Sequence, residues 1–328
     1  MFAIRLRAGM LSIFSTYVTA IFLEGIFFLT IGVIISSVID VFLSDDAMSK
    51  IVPAGRVTGI AVSSLTGLLF PVCECGIVPV VGGLIKKGLP VSHAVTMLLS
   101  IPVVNLVTFT STYYAFLGAP EIAFLRMGGG VVVSFVIGLT VSEFIDDDTV
   151  LRNSPKEKDF FPFIGAEDDL PCDSSVNGCS CHHHGSGNTG RTAADKVKGV
   201  FIHAVEEFFG TGRYFIIGIL ITAAFQTFIP RNSLESISGV FPLPEFFMTG
   251  YAYVLSICSQ VDAFVARSMS SYFGPGPLLC FMISGAMIDI KTTMMLRVIF
   301  RKRFIIILTA VIFILTVMFS AVVGLVVR

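Results

Sequence analysis

The chain has 328 residues, of which 54% are hydrophobic and only 14% charged, and its mean hydropathy is +0.87. Soluble domains carry nearer ~25% charged residues, so composition excludes an ordinary soluble class and indicates an all-α polytopic membrane protein. The formal net charge of −1 says nothing about nucleic acid, which is not expected as a partner; basic residues matter here through their placement between spans.

The N-terminal stretch MFAIRLRAGMLSIF has basic residues ahead of an apolar run, as a signal peptide does. The run from Met10 to Ile39 is about twice the length of a signal core and no small-residue cleavage site ends it, so it reads as a retained first helix. Glu24 sits in its middle, either as an interior carboxylate that takes up a proton or as a helix-packing hydrogen-bond donor. Long apolar segments at about 11–42, 90–117, 121–143, 208–229, 277–300 and 304–327 are each long enough to span.

Two regions differ. Residues 57–71 and 77–86 are apolar but short, separated by PVCECGIVP (71–79); residues 246–257 and 261–273 are split around SICSQVD. Neither piece of either pair crosses a bilayer alone at ~1.5 Å per residue, and Pro71 and Pro79 each remove a backbone donor. Each pair is therefore one long broken helix or a re-entrant hairpin.

The two halves resemble one another. Cys73 and Cys258 lie 185 positions apart, SIPVVN (100–105) and SGAMID (284–289) 184, and IGVII (31–35) and IGILI (217–221) 186. This order at nearly constant offset indicates an internal duplication. Two repeats follow, 1–143 and 206–328, joined by a polar cytoplasmic loop at 144–205 that reads as a linker. With three spans plus a hairpin per half the repeats are inverted, and Lys86–Lys87 and Arg301–Arg303 both fall inside; eight full spans with parallel repeats is the alternative and leaves Arg301–Arg303 outside. The charge placement favours the inverted arrangement.

Glu74 is the first chemical signal. An ionised carboxylate in hydrocarbon costs about 2.5–3.5 kcal/mol or more, and non-helical backbone at that depth must be buried in protein or line water. A substrate site answers both costs, because a broken helix offers free backbone groups to a ligand; the bland alternative is a hairpin near the surface with Glu74 in water. Cys73 and Cys75 flank it and suit a soft thiophilic ion, or are small apolar fillers. The matching break carries Cys258, Gln260 and Asp262, whose expected partner is Arg267 or a ligand. Asn105 and Asp289 occupy equivalent positions and are read as polar groups facing across the repeat interface, with Lys291 neutralising Asp289; a structural clamp between helices is the alternative. The loop CDSSVNGCSCHHH gathers Cys172, Cys179, Cys181, His182, His183 and His184, a flexible set suited to a Zn-like soft metal or simply a His-rich linker. No other cofactor is required.

The stretch PVCECGIVPVVGGLIKKGLPVSHAVTMLLSIPVVNLVTFTSTYYAF (71–116) resembles the signature of the ArsP-like predicted permease family, and CSQVDAFVARSM (258–269) with GAMIDIKTTMML (285–296) resembles its second signature. The resemblance covers essentially the whole chain apart from the central loop. It implies a multi-pass permease; described members of that family export trivalent organoarsenicals, while most members have no assigned substrate.

The expectation is a secondary exporter of a small thiophilic or metal-containing solute in the cell (plasma or inner) membrane, alternating access around a midplane site. Cys73, Glu74, Cys75, Asn105, Cys258, Gln260, Asp262 and Asp289 would contact substrate or couple, with Glu24 and Lys291 as further coupling groups. No G-x-x-x-x-G-K-[ST] motif appears, so no ATPase of its own is expected. A metal-responsive sensor or assembly factor is the second reading. An intramembrane enzyme, with Asp262 and Asp289 as a dyad or Cys73 as nucleophile, is the third and weakest.

Overall fold

The computed structural model describes residues 2–42, 55–68, 70, 72–144, 150–151, 193–228 and 243–326. Among them the chain is helical, with no named strand; one isolated antiparallel bridge joins Leu151 and Phe300. The first half contains α1 (Phe2–Phe42), α2 (Arg56–Leu65, continued by a 3₁₀ turn at Thr66–Leu68), α3 (Glu74–Lys86), α4 (Val91–Ser100), α5 (Leu106–Ala115) and α6 (Glu121–Phe144). The second contains α7 (Ala193–Phe228), α8 (Leu243–Leu255), α9 (Asp262–Ser268), α10 (Pro275–Met287), α11 (Ile290–Leu296) and α12 (Lys302–Val326).

Among the described residues five stretches are long and apolar enough to cross a bilayer: Ser12–Ile39, Glu121–Phe144, Val200–Thr227, Pro275–Leu296 and Lys302–Gly324. Their exposed faces carry Leu23, Phe27, Phe144, Phe201, Ile306 and Val322, which water would not tolerate in such number but lipid does. The molecule is an all-α polytopic membrane protein.

Two segments expected to be continuous spans are broken. Residues 90–117 form α4 and α5, separated by a turn at 101–105. Pro102 lacks the N–H that would continue α4, and Asn105 adopts extended backbone and accepts the Thr108 amide at 2.7 Å, starting a new helix. Residues 277–300 likewise divide at Ile288–Asp289, where Asp289 caps α11 by accepting the Thr292 amide at 2.6 Å. A side chain that satisfies a helix start competes with the continuous ladder, and at both places it wins. α7 begins at Ala193, inside the stretch read as polar loop.

Packing fixes the directions of the helices. Ser100 donates to the Ser63 carbonyl and Gly67 lies against Val104, so α2 and α4 run parallel. Gly138 meets Thr96 and Gly130 meets Val103, so α6 returns antiparallel to α4. In the second half Gly276 lies beside Glu245 and Gly285 beside Ala252, making α8 and α10 parallel; Cys280 reaches Thr316 and Ser320 reaches the Gly276 carbonyl, making α12 antiparallel to α10. Gly129 packs on Phe319, while the Arg301 amide donates to the Val150 carbonyl just beyond α6, so α6 and α12 are antiparallel. The starts of α2 and α4, the end of α6 and the start of α12 therefore share one end of the molecule. The starts of α8 and α10 and the end of α12 share the other.

Candidate functional site

Two helix starts meet in the interior. Cys73 is in extended backbone and Glu74 opens α3; Asp289 is extended and α11 follows it. α3 packs against α11, across the two halves of the chain. Lys291 Nζ lies 3.7 Å from Glu74 Oε1 and 3.4 Å from Asp289 Oδ2. All three side chains are buried, with Glu74 2%, Asp289 0% and Lys291 3% exposed. Two formal negative charges thus face one positive charge away from solvent. Glu74 lies in the first turn of α3, where the helix dipole favours a negative charge. Glu74 Oε2 and Asp289 Oδ2 still have no hydrogen-bond partner, nor does Thr292 Oγ1 beside them in α11.

Three thiols surround this cluster. Cys73, Cys75 and Cys258 are 3–4% exposed and free of disulfides. The Cys75 thiol contacts Cys73 and lies within electrostatic reach of Lys291 and Glu74. Cys258 lies within reach of Glu74, Glu24 and Lys291. The expected breaks, PVCECGIVP and SICSQVD, are therefore near one another, with Cys258 of one within electrostatic reach of Glu74 of the other. Glu24 is on the exposed face of α1, one turn before Phe28, whose carbonyl lies against Gly76. It is a surface carboxylate near the buried cluster rather than an interior one.

Small residues let the long helices close over this point. A side chain on Gly32 of α1 would meet the Gly76 carbonyl oxygen at 2.2 Å, and one on Gly218 of α7 would meet Lys291 Cα at 2.9 Å. Only glycine allows such backbone approach. The sequence matches IGVII and IGILI therefore mark the places where α1 and α7 cross α3 and α11.

Asp262 opens α9 and is not paired with Arg267, the protein partner read from the sequence; Arg267 is exposed and its guanidinium stacks over the Phe116 ring at 5.6 Å. Its partner is Arg126 of α6, at 2.7 Å. Arg267 is on a helix face turned outward, whereas α6 presents Arg126 to the interior. Arg126 also donates to Thr112 Oγ1 at 2.8 Å, to the Ser259 carbonyl at 3.0 Å and to the Met282 carbonyl at 3.2 Å. Sequence reasoning missed Arg126, although a lone arginine within the apolar run 121–143 was the available signal. Gln260 is half-buried and its carbonyl accepts from Ser111. Asn105 spends its side chain locally, donating to the Ile101 and Pro102 carbonyls at 3.1 and 3.2 Å as well as capping α5.

Ser256, just after α8, ties the SICSQVD break to the start of α11. Its φ is +48°, the left-handed region that costs a non-glycine residue about 1–2 kcal/mol. Its Oγ accepts the Ile290 amide at 3.2 Å and donates to the Tyr253 carbonyl at 3.1 Å. Ser256→Ala keeps the strain and loses both bonds, whereas Ser256→Gly relieves the strain. Thermal unfolding in detergent should rank Ala below Gly by roughly 1 kcal/mol; equal losses would show that the backbone at Ser256 is unstrained.

Among the described residues no three His, Cys, Asp or Glu side chains gather at metal-ligating geometry. The set Cys172, Cys179, Cys181, His182, His183 and His184 lies outside the described residues.

The family model described as a predicted permease, ArsP_1, matches residues 10–325. The chain is 36% identical over 289 residues to the UPF0718 protein YcgR of Bacillus subtilis, covering 88% of this chain and 89% of that one. It is 32% identical over 287 residues to a Streptococcus mutans protein provisionally named as a subunit of a two-component membrane permease complex, covering 87% and 86%. A shorter match, 38% identical over 80 residues, links it to the UPF0718 protein MJ0584 of Methanocaldococcus jannaschii, covering 24% and 21%. No solved structure matches the chain. A family-model match along nearly the whole length, with two relatives above 30% identity each covered over most of its own length, means that the chain belongs to the ArsP_1 family of predicted permeases.

Proposed function

We propose that the chain is a secondary exporter of a small thiophilic, metal- or metalloid-containing solute in the cell membrane. The observation that carries this reading is the meeting of Cys73, Glu74 and Cys75 with Cys258 beside the Lys291–Asp289 pair. Soft sulfur donors select soft cargo, and a carboxylate-rich surround favours a cationic or proton-releasing form of it. Glu24 would meet the cargo or a proton first, and Glu74 with Lys291 would follow. The Cys/His loop would capture a soft metal ion as an accessory to this route.

Alternating access would come from inverted repeats. The element order of α1–α6 is paralleled by that of α7–α12. The parallel directions of α2 and α4, and of α8 and α10, support a chain that turns back between them, a re-entrant hairpin in each half. The hairpins enter from opposite ends, as inverted repeats require. Lys86, Lys87 and Arg301–Arg303 lie at the end shared by α2, α4 and α12, which would be the cytoplasmic side.

The test is uptake of a trivalent organoarsenical into everted vesicles. Cys73→Ser, Cys75→Ser and Cys258→Ser should each lower transport at least about tenfold, the loss of ~1.4 kcal/mol of cargo interaction, at unchanged protein level. Parent-like uptake by all three variants would sink the thiol site.

A further inference from the structure

The segment from Ser256 to Asp262 touches both buried charge clusters. At its start Ser256 binds the Ile290 amide, and Cys258 lies within reach of Glu74 and Lys291. At its end the Ser259 carbonyl and the Asp262 carboxylate are both held by Arg126 Nη2, at 3.0 and 2.7 Å. Arg126 comes from the other half of the chain. Whatever moves its guanidinium therefore moves the segment that carries Cys258.

The Arg126 contact is incompletely made. An optimised arginine–carboxylate pair is bidentate, with two parallel N–H···O bonds. Here Nη2 alone meets Oδ2, and Arg126 Nε, Asp262 Oδ1 and Ser259 Oγ are all buried without a hydrogen-bond partner. Arg126 is 1% exposed and Asp262 2%. Each unmet buried polar atom is costly, so a permanent clamp would be expected to satisfy them. A pair that leaves donors and acceptors open on both sides has a second arrangement to move to. Nη1 already leans on Thr112 and Nη2 on the Met282 carbonyl, so the guanidinium has partners of its own when Asp262 leaves.

We infer that Arg126 is the positioning residue of the thiol site: its hold on Ser259 and Asp262 sets Cys258 against Glu74 and Lys291, and this hold breaks and re-forms as the second hairpin opens. The inference deepens the exporter reading and rests on it for its purpose, but its test needs no cargo. The readout is the rate at which Cys258 reacts with a membrane-impermeant maleimide. It is measured in the full-length chain with its other cysteines replaced by serine, in sealed vesicles of both orientations.

Asp262→Asn and Arg126→Met should each raise that rate at least about tenfold, equivalent to ~1.4 kcal/mol, and from one vesicle orientation only. The exchange of Arg126→Asp with Asp262→Arg should bring the rate back toward the parent. No rise in either single variant overturns the inference. So does an equal rise from both orientations, because that reports a loosened fold and not an opened hairpin. Asp262→Asn preserves volume and serves alone should Arg126→Met fail to insert. A one-sided labelling response, together with no uptake of a trivalent organoarsenical by separate vesicles that carry the parent chain with all its cysteines, supports the anchor while sinking the exporter reading.

Discussion

Lys291→Met is expected to cost about 3–5 kcal/mol of stability, because it leaves Glu74 and Asp289 buried with no cation between them. The wild-type arrangement balances one ammonium against two carboxylates that are at most 2% exposed. Methionine fills much the same space, so lost packing is small and lost charge dominates. Glu74→Gln added to Lys291→Met removes one of the two stranded charges and should recover part of the loss. Lys291→Arg keeps the charge but exchanges a compact ammonium for a planar fork, and a partial loss is expected. The measurement is the folded fraction of detergent-purified protein after a heat challenge, read by size exclusion. An unchanged fraction for Lys291→Met would mean that Glu74 and Asp289 reach water, and the buried cluster would have to be given up. Transport should fall in every one of these variants, so stability and transport together separate a site that fails to fold from one that folds and fails to work.

The charge in this cluster was legible in the sequence because it violates a rule. A glutamate between two cysteines, bracketed by prolines, stands out in an apolar run, and Asp289 with Lys291 two positions later suggests neutralisation. What was not legible is how far the partners come from. Lys291 also serves Glu74, more than two hundred positions earlier, and Arg126 serves Asp262 across 136 positions. Pairing of this kind depends on which faces two helices present to each other, and apolar periodicity in a membrane chain barely marks a face, because lipid and protein core are equally greasy. Arg267 looked the better partner for Asp262 by proximity in sequence, yet its helix turns it outward. The same blurring concealed the breaks at Asn105 and Asp289. Both residues were noticed, as polar groups facing one another, but each spends a side-chain oxygen on starting a helix. A cap needs only three residues of local sequence, so Pro-x-x-Asn-x-x-Thr could have been read as a stop and restart.

Gly32→Ala is expected to disturb the fold more than any other single methyl added to a described glycine near the site. The new Cβ would lie 2.2 Å from the Gly76 carbonyl oxygen and 2.8 Å from its carbon, both backbone atoms that no rotamer change can move. Overpacking of this sort costs about 1–3 kcal/mol or more, and here the strain falls on the first turn of α3, where Glu74 sits. Gly218→Ala meets Lys291 Cα at 2.9 Å, also a backbone atom that has to shift but a less severe overlap, so its loss should be smaller. Gly128→Ala in α6 has nothing within 4 Å and should be neutral or gain about 0.5–1 kcal/mol from helix propensity. Thermal unfolding of the three variants in one detergent ranks them directly. The order Gly32, Gly218, Gly128, from most to least destabilised, follows from how closely α1 and α7 press on the two interior helix starts. If Gly32→Ala proved as benign as Gly128→Ala, α1 would not cross α3 at Gly76, and the wall that keeps lipid and water from Glu74 would have to be built by some other segment.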